Sequence, residues 1–475
     1  MCRNCTLMRA IGEYASEGSG GGAAGRTAPA PRAVSETTDG PATVVFRGGA
    51  VYTVDSAQPW AEAVAVRDRQ IIGVGSDADV SALAGPVTRT IELGGRMLLP
   101  GFVEAHIHPL VGSFFTPGVD LQLPSRDDAL AAIAVHVKDT SGPVRGFGWR
   151  VDMFPPEGPN RADLDRIVPD RPAMLFAIDA HSVWVNSVAL KIAGITRDTP
   201  DPVPGYSFYM RDADGEPTGY VLELPAVLGI VNAIEPMTKA VLTRLLGEWA
   251  PKAAAAGITA VFDAGLPQGD SDPGELVSVY TDLEAEGRLP FRVVASHIVK
   301  APPAGDAVPR AISLRHRFDT ELVSAGILKI IGDGTAEGYT AHLLEPYADR
   351  PDSVGTSPFS EAEWRRMIVE ADAADIDVHV HAIGDRTVRI ALDAIEAAIE
   401  ANPPRDRRHS IAHLVLVDEA DVKRFGKLGV IAQFSGNWMS ADPSTVDIAL
   451  ERYGPERQRK FFRARAILDS GATVA

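Results

Sequence analysis

From residue 98 onward, short apolar runs alternate with longer segments whose apolar residues recur every three or four positions. That alternation is the signature of repeated βα units built on a parallel sheet. The runs are MLLPGFVEAHIH (ending at His108), ITAVFDA (258–264), FRVVASH (291–297), GILKIIGDG (326–334), IDVHVHA (376–382), RHSIAHLVLV (408–417) and GVIAQFS (429–435). EAEWRRMIVEADAAD (361–375) and RTVRIALDAIEAAIEA (386–401) carry helical periodicity between them. The final residues, GATVA (471–475), resemble the opening of one more strand. Seven strands and the start of an eighth predict an α/β fold, a distorted (β/α)8 barrel that is incomplete at strand 8. A chain of 475 residues has room for such a barrel and an appendage.

Ahead of the barrel, residues 42–97 read as a small β-layer. TVVFRGGAVYTV (43–54) places Gly48-Gly49 between two β-rich stretches, which suggests a hairpin, and AEAVAVRDRQIIGVG (61–75) repeats the pattern around a polar break. Residues 1–41, rich in Gly, Ala and Pro, are expected to be a disordered tail. Cys2 and Cys5 lie within it and lack a second pair to complete a zinc site. Residues 112–245 are too long for one crossover and read as an insertion within the 98–475 barrel. It has strands at Ala173–Ile178 and Tyr206–Met210 and a turn at Asp214-Gly215. Insertions on a barrel's C-terminal face shape substrate pockets.

His106 and His108 follow an apolar strand. Side chains two apart share a face of a strand, so both imidazoles point the same way. Neutral imidazole is the commonest metal-binding side chain. Lys329 sits in an otherwise apolar strand, where a free ammonium is costly unless it is neutralised, modified or engaged. His381 and His413 end or occupy later strands. Taken singly, each is an ordinary structural residue; their placement on strands one, four, five and six of one barrel argues for a shared site.

LPGFVEAHIHP, KIIGDG, HVHAIGDRTV and RHSIAH together resemble the amidohydrolase superfamily in its YtcJ-like branch, over roughly residues 43–475. The resemblance implies a small β-sandwich beside the barrel and metal-dependent hydrolysis of C–N bonds, mostly amides. It implies that His106 and His108 ligate one metal and that His381 and His413 ligate a second. Lys329 would be N-carboxylated and bridge the two. His379 shares a face with His381, but only one position matches the family's ligand, and HAIGDR points to His381. One or two divalent ions are expected, with Zn²⁺ suiting imidazole and carboxylate, and Mn²⁺, Fe²⁺ or Ni²⁺ also fitting. In IDAHSVWVNS, the resemblance places Asp179, His181 and Trp184 around the substrate, with His181 polarising its carbonyl. A packed, hydrogen-bonded turn that includes Asn186 is the equal alternative.

The resemblance also implies an aspartate on the eighth strand that serves as base toward the metal's water. GATVA ends where that motif is expected to begin, and loss of a general base costs roughly 10²–10⁴-fold in rate. The expected function is amide-type hydrolysis. Alternatives are cleavage of a carbamate, thiocarbamate or ester, or a weakly active or non-catalytic metal-binding remnant. The net charge of −17 disfavours nucleic acid and anionic membranes as partners. A small-molecule substrate is the expected partner, and association as a homodimer is left open. No apolar run reaches the ~20 residues of a membrane span, and no basic start precedes an apolar stretch. The expected location is therefore cytoplasmic.

Overall fold

The computed structural model describes residues 40–475 apart from 156, 179, 181, 203–206, 266–271, 301, 337–338, 441–445 and 447–449. The expected tail up to residue 39, with Cys2 and Cys5, lies outside the described residues, as do Asp179 and His181. The chain divides into two compact units, with the boundary between Gly101 and Phe102.

The first unit contains β1 (Ala42–Arg47), β2 (Ala50–Tyr52), β3 (Trp60–Ala61), β4 (Ala63–Arg67), β5 (Gln70–Gly75), β6 (Ala84–Glu92) and β7 (Met97–Leu98). They form a four-stranded sheet of order β5-β4-β1-β6 and a three-stranded sheet of order β3-β2-β7. β4 and β5 make an antiparallel hairpin across Asp68 and Arg69. Both turn residues have positive φ, the backbone a tight hairpin turn needs. The hairpin expected at Gly48-Gly49 does not form: β1 and β2 belong to different sheets. The glycines carry the chain from one sheet to the other. A Cβ on Gly49 would meet the carbonyl oxygen of Arg96 at 2.3 Å, so nothing larger fits that crossing. Ala42, Val45, Ala63, Ala65 and Val80 form the unit's small core.

The second unit opens with β8 (Phe102–Ile107). An inserted region follows, holding β9 (Val119–Asp120), β10 (Val144–Trp149), β11 (Ala173–Ala177), β12 (Ser182–Val185), β13 (Phe208–Arg211) and β14 (Pro217–Leu222). These six form a sheet of their own, in the order β13-β14-β12-β11-β10-β9. Its core includes Leu121, Trp149, Leu175 and Trp184. The helix Lys239–Ala255 then returns to the barrel and packs on the first strand after the insertion.

That strand is β15 (Ile258–Asp263). The others are β16 (Arg292–Val299), β17 (Val323–Ile331), β18 (Val378–Ala382), β19 (Ser410–His413) and β20 (Ile431–Gln433). With β8 they form a seven-stranded sheet of order β8-β15-β16-β17-β18-β19-β20 in which every pairing is parallel. This is the TIM-like barrel that the alternating pattern predicts. The last residues run parallel to β20: Ala475 N–H donates to Ala432 O at 2.9 Å, and Phe434 N–H to Ala475 O at 2.8 Å.

The helices form because their sequences supply caps and a buried stripe. Ser360 and Glu363 make a reciprocal capping box at the start of Glu361–Ala373. In Asp385–Ala401, Val388, Ala391, Leu392, Ile395 and Ala398 are buried at helical spacing. Among the described residues, no single helix is long and apolar enough to cross a membrane.

Candidate metal centre

Parallel strands deliver their C-terminal ends to one face of a barrel, and the residues singled out in the sequence sit at those ends. His106 is the penultimate residue of β8, and His108 precedes the helix Pro109–Phe115. Lys329 on β17 lies in register with His379 on β18. His381, two residues on, occupies the same face of the strand. His413 closes β19 with φ of +75°, and Leu414 follows at +49°. A non-glycine residue held in that region stores local strain of about 1–3 kcal/mol, which is common at functional sites.

The imidazoles form one cluster. The His106 ring lies 5.3 Å from His108, 4.9 Å from His379 and 4.6 Å from His413, and His381 is 4.5 Å from His413, all between centroids. His106 Nδ1 is 2.8 Å from His379 Nε2. His108 Nδ1 donates to the carbonyl of Gly265 at 2.8 Å, which leaves Nε2 with a lone pair. Nδ1 of His379 pairs with Ser410 Oγ at 2.7 Å, and Nδ1 of His413 with Ser435 Oγ at 3.0 Å. The indole of Trp438 stacks on His413, 4.7 Å away and 16° from parallel.

Electrostatics hold His106, His108, His379 and His413 uncharged. Burial, then the nearby Lys329 charge, keeps His106 and His379 well below the usual imidazole range. His108 is lowered to about 4 for the same reasons. His413 is lowered by burial and then by His381 and Lys329. Lys329 itself is 1% exposed, and burial lowers it to about 7. Among the described residues its Nζ has no hydrogen-bond partner.

Two buried carboxyls stand beside the cluster, and neither was singled out in the sequence. Asp263 ends β15, accepts from Tyr280 Oη at 2.7 Å and Gly265 N–H at 2.9 Å, and is raised by burial to about 6. Asp333 follows β17 and accepts from His342, Ile383 and Gly384 N–H and from the Thr387 hydroxyl. Burial raises it to about 7 against those donors. Their strand-end positions in ITAVFDA and KIIGDG were the available signal. Their donors come from segments distant in sequence and could not be read from it.

The structure thus brings His106, His108, Lys329, His381 and His413 together and adds His379. The IDAHSVWVNS stretch fares differently. Trp184 is fully buried in the core of the inserted sheet, its Nε1 donating to Asn160 O at 2.9 Å. Asn186 is also fully buried, accepting from Ala173 and Ala189 N–H and donating to Val168 and Arg171 carbonyls. Within that stretch, Trp184 and Asn186 are packed and hydrogen-bonded.

The donor set matches a divalent cation in chemistry: several neutral imidazoles and an amine without a hydrogen bond, gathered where water is scarce. As the side chains stand, no three His, Cys, Asp or Glu among the described residues converge on one point. The His106–His379 hydrogen bond occupies one nitrogen of each ring.

Residues 89–475 match the family model described as "Amidohydrolase family". The chain belongs to the amidohydrolase family. It is 31% identical over 444 residues to YtcJ of Bacillus subtilis (strain 168), whose name places it among the amidohydrolases; the match covers 91% of this chain and 79% of that protein. It is 26% identical to the N-substituted formamide deformylase of Arthrobacter pascens, over 90% of this chain and 78% of that one. An uncharacterized metal-dependent hydrolase from Pyrococcus furiosus shares the fold with a TM-score of 0.66 at 23% identity, covering 91% of this chain and 84% of that structure. Membership in the amidohydrolases accords with the strand-end cluster and makes hydrolysis the chemistry to explain.

Proposed function

We propose that this amidohydrolase is a metal-dependent hydrolase that cleaves a C–N bond of amide type in a small molecule. His106, His108, Lys329, His381 and His413 would hold one or two divalent ions, with zinc the best match to the donors. The observation that carries the reading is Lys329. An amine that is 1% exposed, without a hydrogen bond among the described residues and surrounded by neutral imidazoles, is costly unless it has a chemical use.

Burial supplies that use. An amine lowered to about 7 is about half uncharged at neutral pH, and that neutral fraction is nucleophilic. Its lone pair can add to carbon dioxide with loss of one proton, turning a would-be cation into a carbamate anion that suits a metal. A bound divalent ion supplies a water of lowered pKa and polarises the carbonyl to be attacked. The chain's own residues do the rest: Gly265 O fixes the His108 tautomer, Ser435 holds His413, and Trp438 walls one face of that ring. The deformylase relative by its name removes a formyl group from a substituted nitrogen, and that bond type is the one proposed here.

The test is metal loading followed by a substrate panel. Protein incubated with zinc and bicarbonate should take up one to two equivalents and release amine from N-formyl or N-acyl amines. Release of alcohol or thiol from esters or thiocarbamates, with no amine from amides, would reassign the bond. Absence of zinc uptake would overturn the metal reading.

A further inference from the structure

Asp333 ties together two of the loops that bear the cluster. Its Oδ2 accepts from His342 N–H at 3.0 Å, Gly384 N–H at 2.8 Å and Thr387 Oγ1 at 2.9 Å. Its Oδ1 accepts one bond, from Ile383 N–H at 3.0 Å, and faces His381 Nε2 at 3.8 Å. The carboxyl is 3% exposed. Four donors from one loop, one helix start and one neighbouring segment therefore hold it in a single orientation. The packing around it is equally tight, since a Cβ on Gly384 would meet the carbonyl oxygen of His342 at 2.0 Å. Oδ2 is saturated, and the spare capacity of Oδ1 is aimed at one ring nitrogen.

We infer that Asp333 is the positioning residue for His381: it accepts a hydrogen bond from Nε2–H, fixes that tautomer and leaves Nδ1 to face a metal. The separation of 3.8 Å closes to a hydrogen bond with a small rotation of the imidazole. A carboxylate that accepts from the remote nitrogen of a ligating histidine sets its orientation and raises its basicity. Asp333 is well suited to this because its own position is set by backbone donors, which do not relax when the ring moves. The inference rests on the metal reading above and assigns a nitrogen and a supporting group within it.

The experiment measures zinc affinity by competition with a chromophoric chelator, in the full chain and without substrate. Asp333→Asn should weaken zinc by about 10- to 100-fold. In a His381→Ala background, the same change should alter affinity by less than about twofold, because the ring it acts on is gone. An equal loss in both backgrounds, or none in the first, overturns the inference. Should Asp333→Asn not fold, the wild-type protein decides: ¹⁵N spectra of histidine-labelled, zinc-loaded chain, with His381 assigned by its absence from the His381→Ala spectrum. A protonated Nε2 and a metal-bound Nδ1 are expected, and a metal-bound Nε2 overturns the assignment. Zinc uptake with that second outcome sinks only the role of Asp333, whereas no uptake at all sinks the metal reading.

Discussion

His106 and His379, on the facing strands β8 and β18, share a hydrogen bond of 2.8 Å between Nδ1 and Nε2. His379 also contacts Ser410 Oγ through its Nδ1. If that Nδ1 donates to the serine, His379 Nε2 is the acceptor, His106 donates, and His106 Nε2 keeps its lone pair. On this proton order His379 supports a ligand and is not one. His379→Ala should weaken zinc about 10- to 100-fold through lost orientation, while His381→Ala, which removes a proposed ligand, should cost more. Chelator competition on the two variants ranks them. A larger loss at His379 would make it the ligand and His381 the support.

Lys329 leads to a prediction about the metal-free protein. Its amine is lowered to about 7 in the fold from an ordinary 10.5. Between those values the unfolded chain holds the proton and the folded chain does not, so stability rises with pH across that window. Each unit is worth up to about 1.4 kcal/mol, and below about 7 the penalty is complete. Lys329→Met fills similar volume without an amine. Denaturant titrations of metal-free protein from pH 7 to 9 should show a rising wild-type stability and a flatter, higher curve for the variant. A variant less stable than wild type at pH 7 would mean that Lys329 has a partner.

Much of the barrel was readable because its strands are apolar runs cut by helical periodicity, and all seven runs are strands. The histidines were readable because alternation puts His106 and His108, or His379 and His381, on shared faces. The same period of two explains why alternation could not separate His379 from His381. Their difference lies in what each ring contacts across the barrel. Trp184 is hard to place from sequence because an aromatic residue in an insertion looks alike whether it lines a pocket or fills a core. Gly48-Gly49 misled because a close chain crossing and a hairpin turn both require glycine. Asp263 and Asp333 depend on donors that only the fold brings near.

The opposite end of the barrel carries a separate charge network. Asp372 is 2% exposed and accepts from Arg405 Nε at 2.7 Å, Arg407 Nε at 2.9 Å and Asn402 Nδ2 at 2.9 Å. Burial opposes its ionisation, but the bonds from Arg407, Asn402 and Arg405 outweigh it and bring the carboxyl to about 2. Its folded value is depressed, so the stabilisation is present above about 4 and is lost as pH falls toward 2. Asp372→Ala leaves two half-buried guanidiniums without this buried carboxylate and should cost about 3–5 kcal/mol. Zinc affinity should stay unchanged, because none of the clustered imidazoles touches Asp372. Chemical denaturation and zinc titration of the same variant check both halves, and a large fall in zinc affinity would refute the separation.

Asp263 titrates in the reverse sense. Burial raises it to about 6, so the folded chain holds a proton that the unfolded chain has released between about 4 and 6. Stability from this group is greatest below 4, falls as pH rises to about 6, and stays reduced above that. Asp263→Asn keeps a carbonyl oxygen for Gly265 N–H and offers an amide to the Tyr280 oxygen, without a charge to bury. It should raise stability at pH 7.5 by up to about 3 kcal/mol and have little effect at pH 4. Tyr280→Phe does the opposite: it removes a donor from a carboxyl that is 4% exposed and should cost about 1–3 kcal/mol at pH 7.5. Paired melts at the two pH values distinguish these effects. If Asp263→Asn were instead destabilising at pH 7.5, Asp263 would be stabilised as an anion, and the charge at the end of β15 would belong to the working site beside Gly265 and His108.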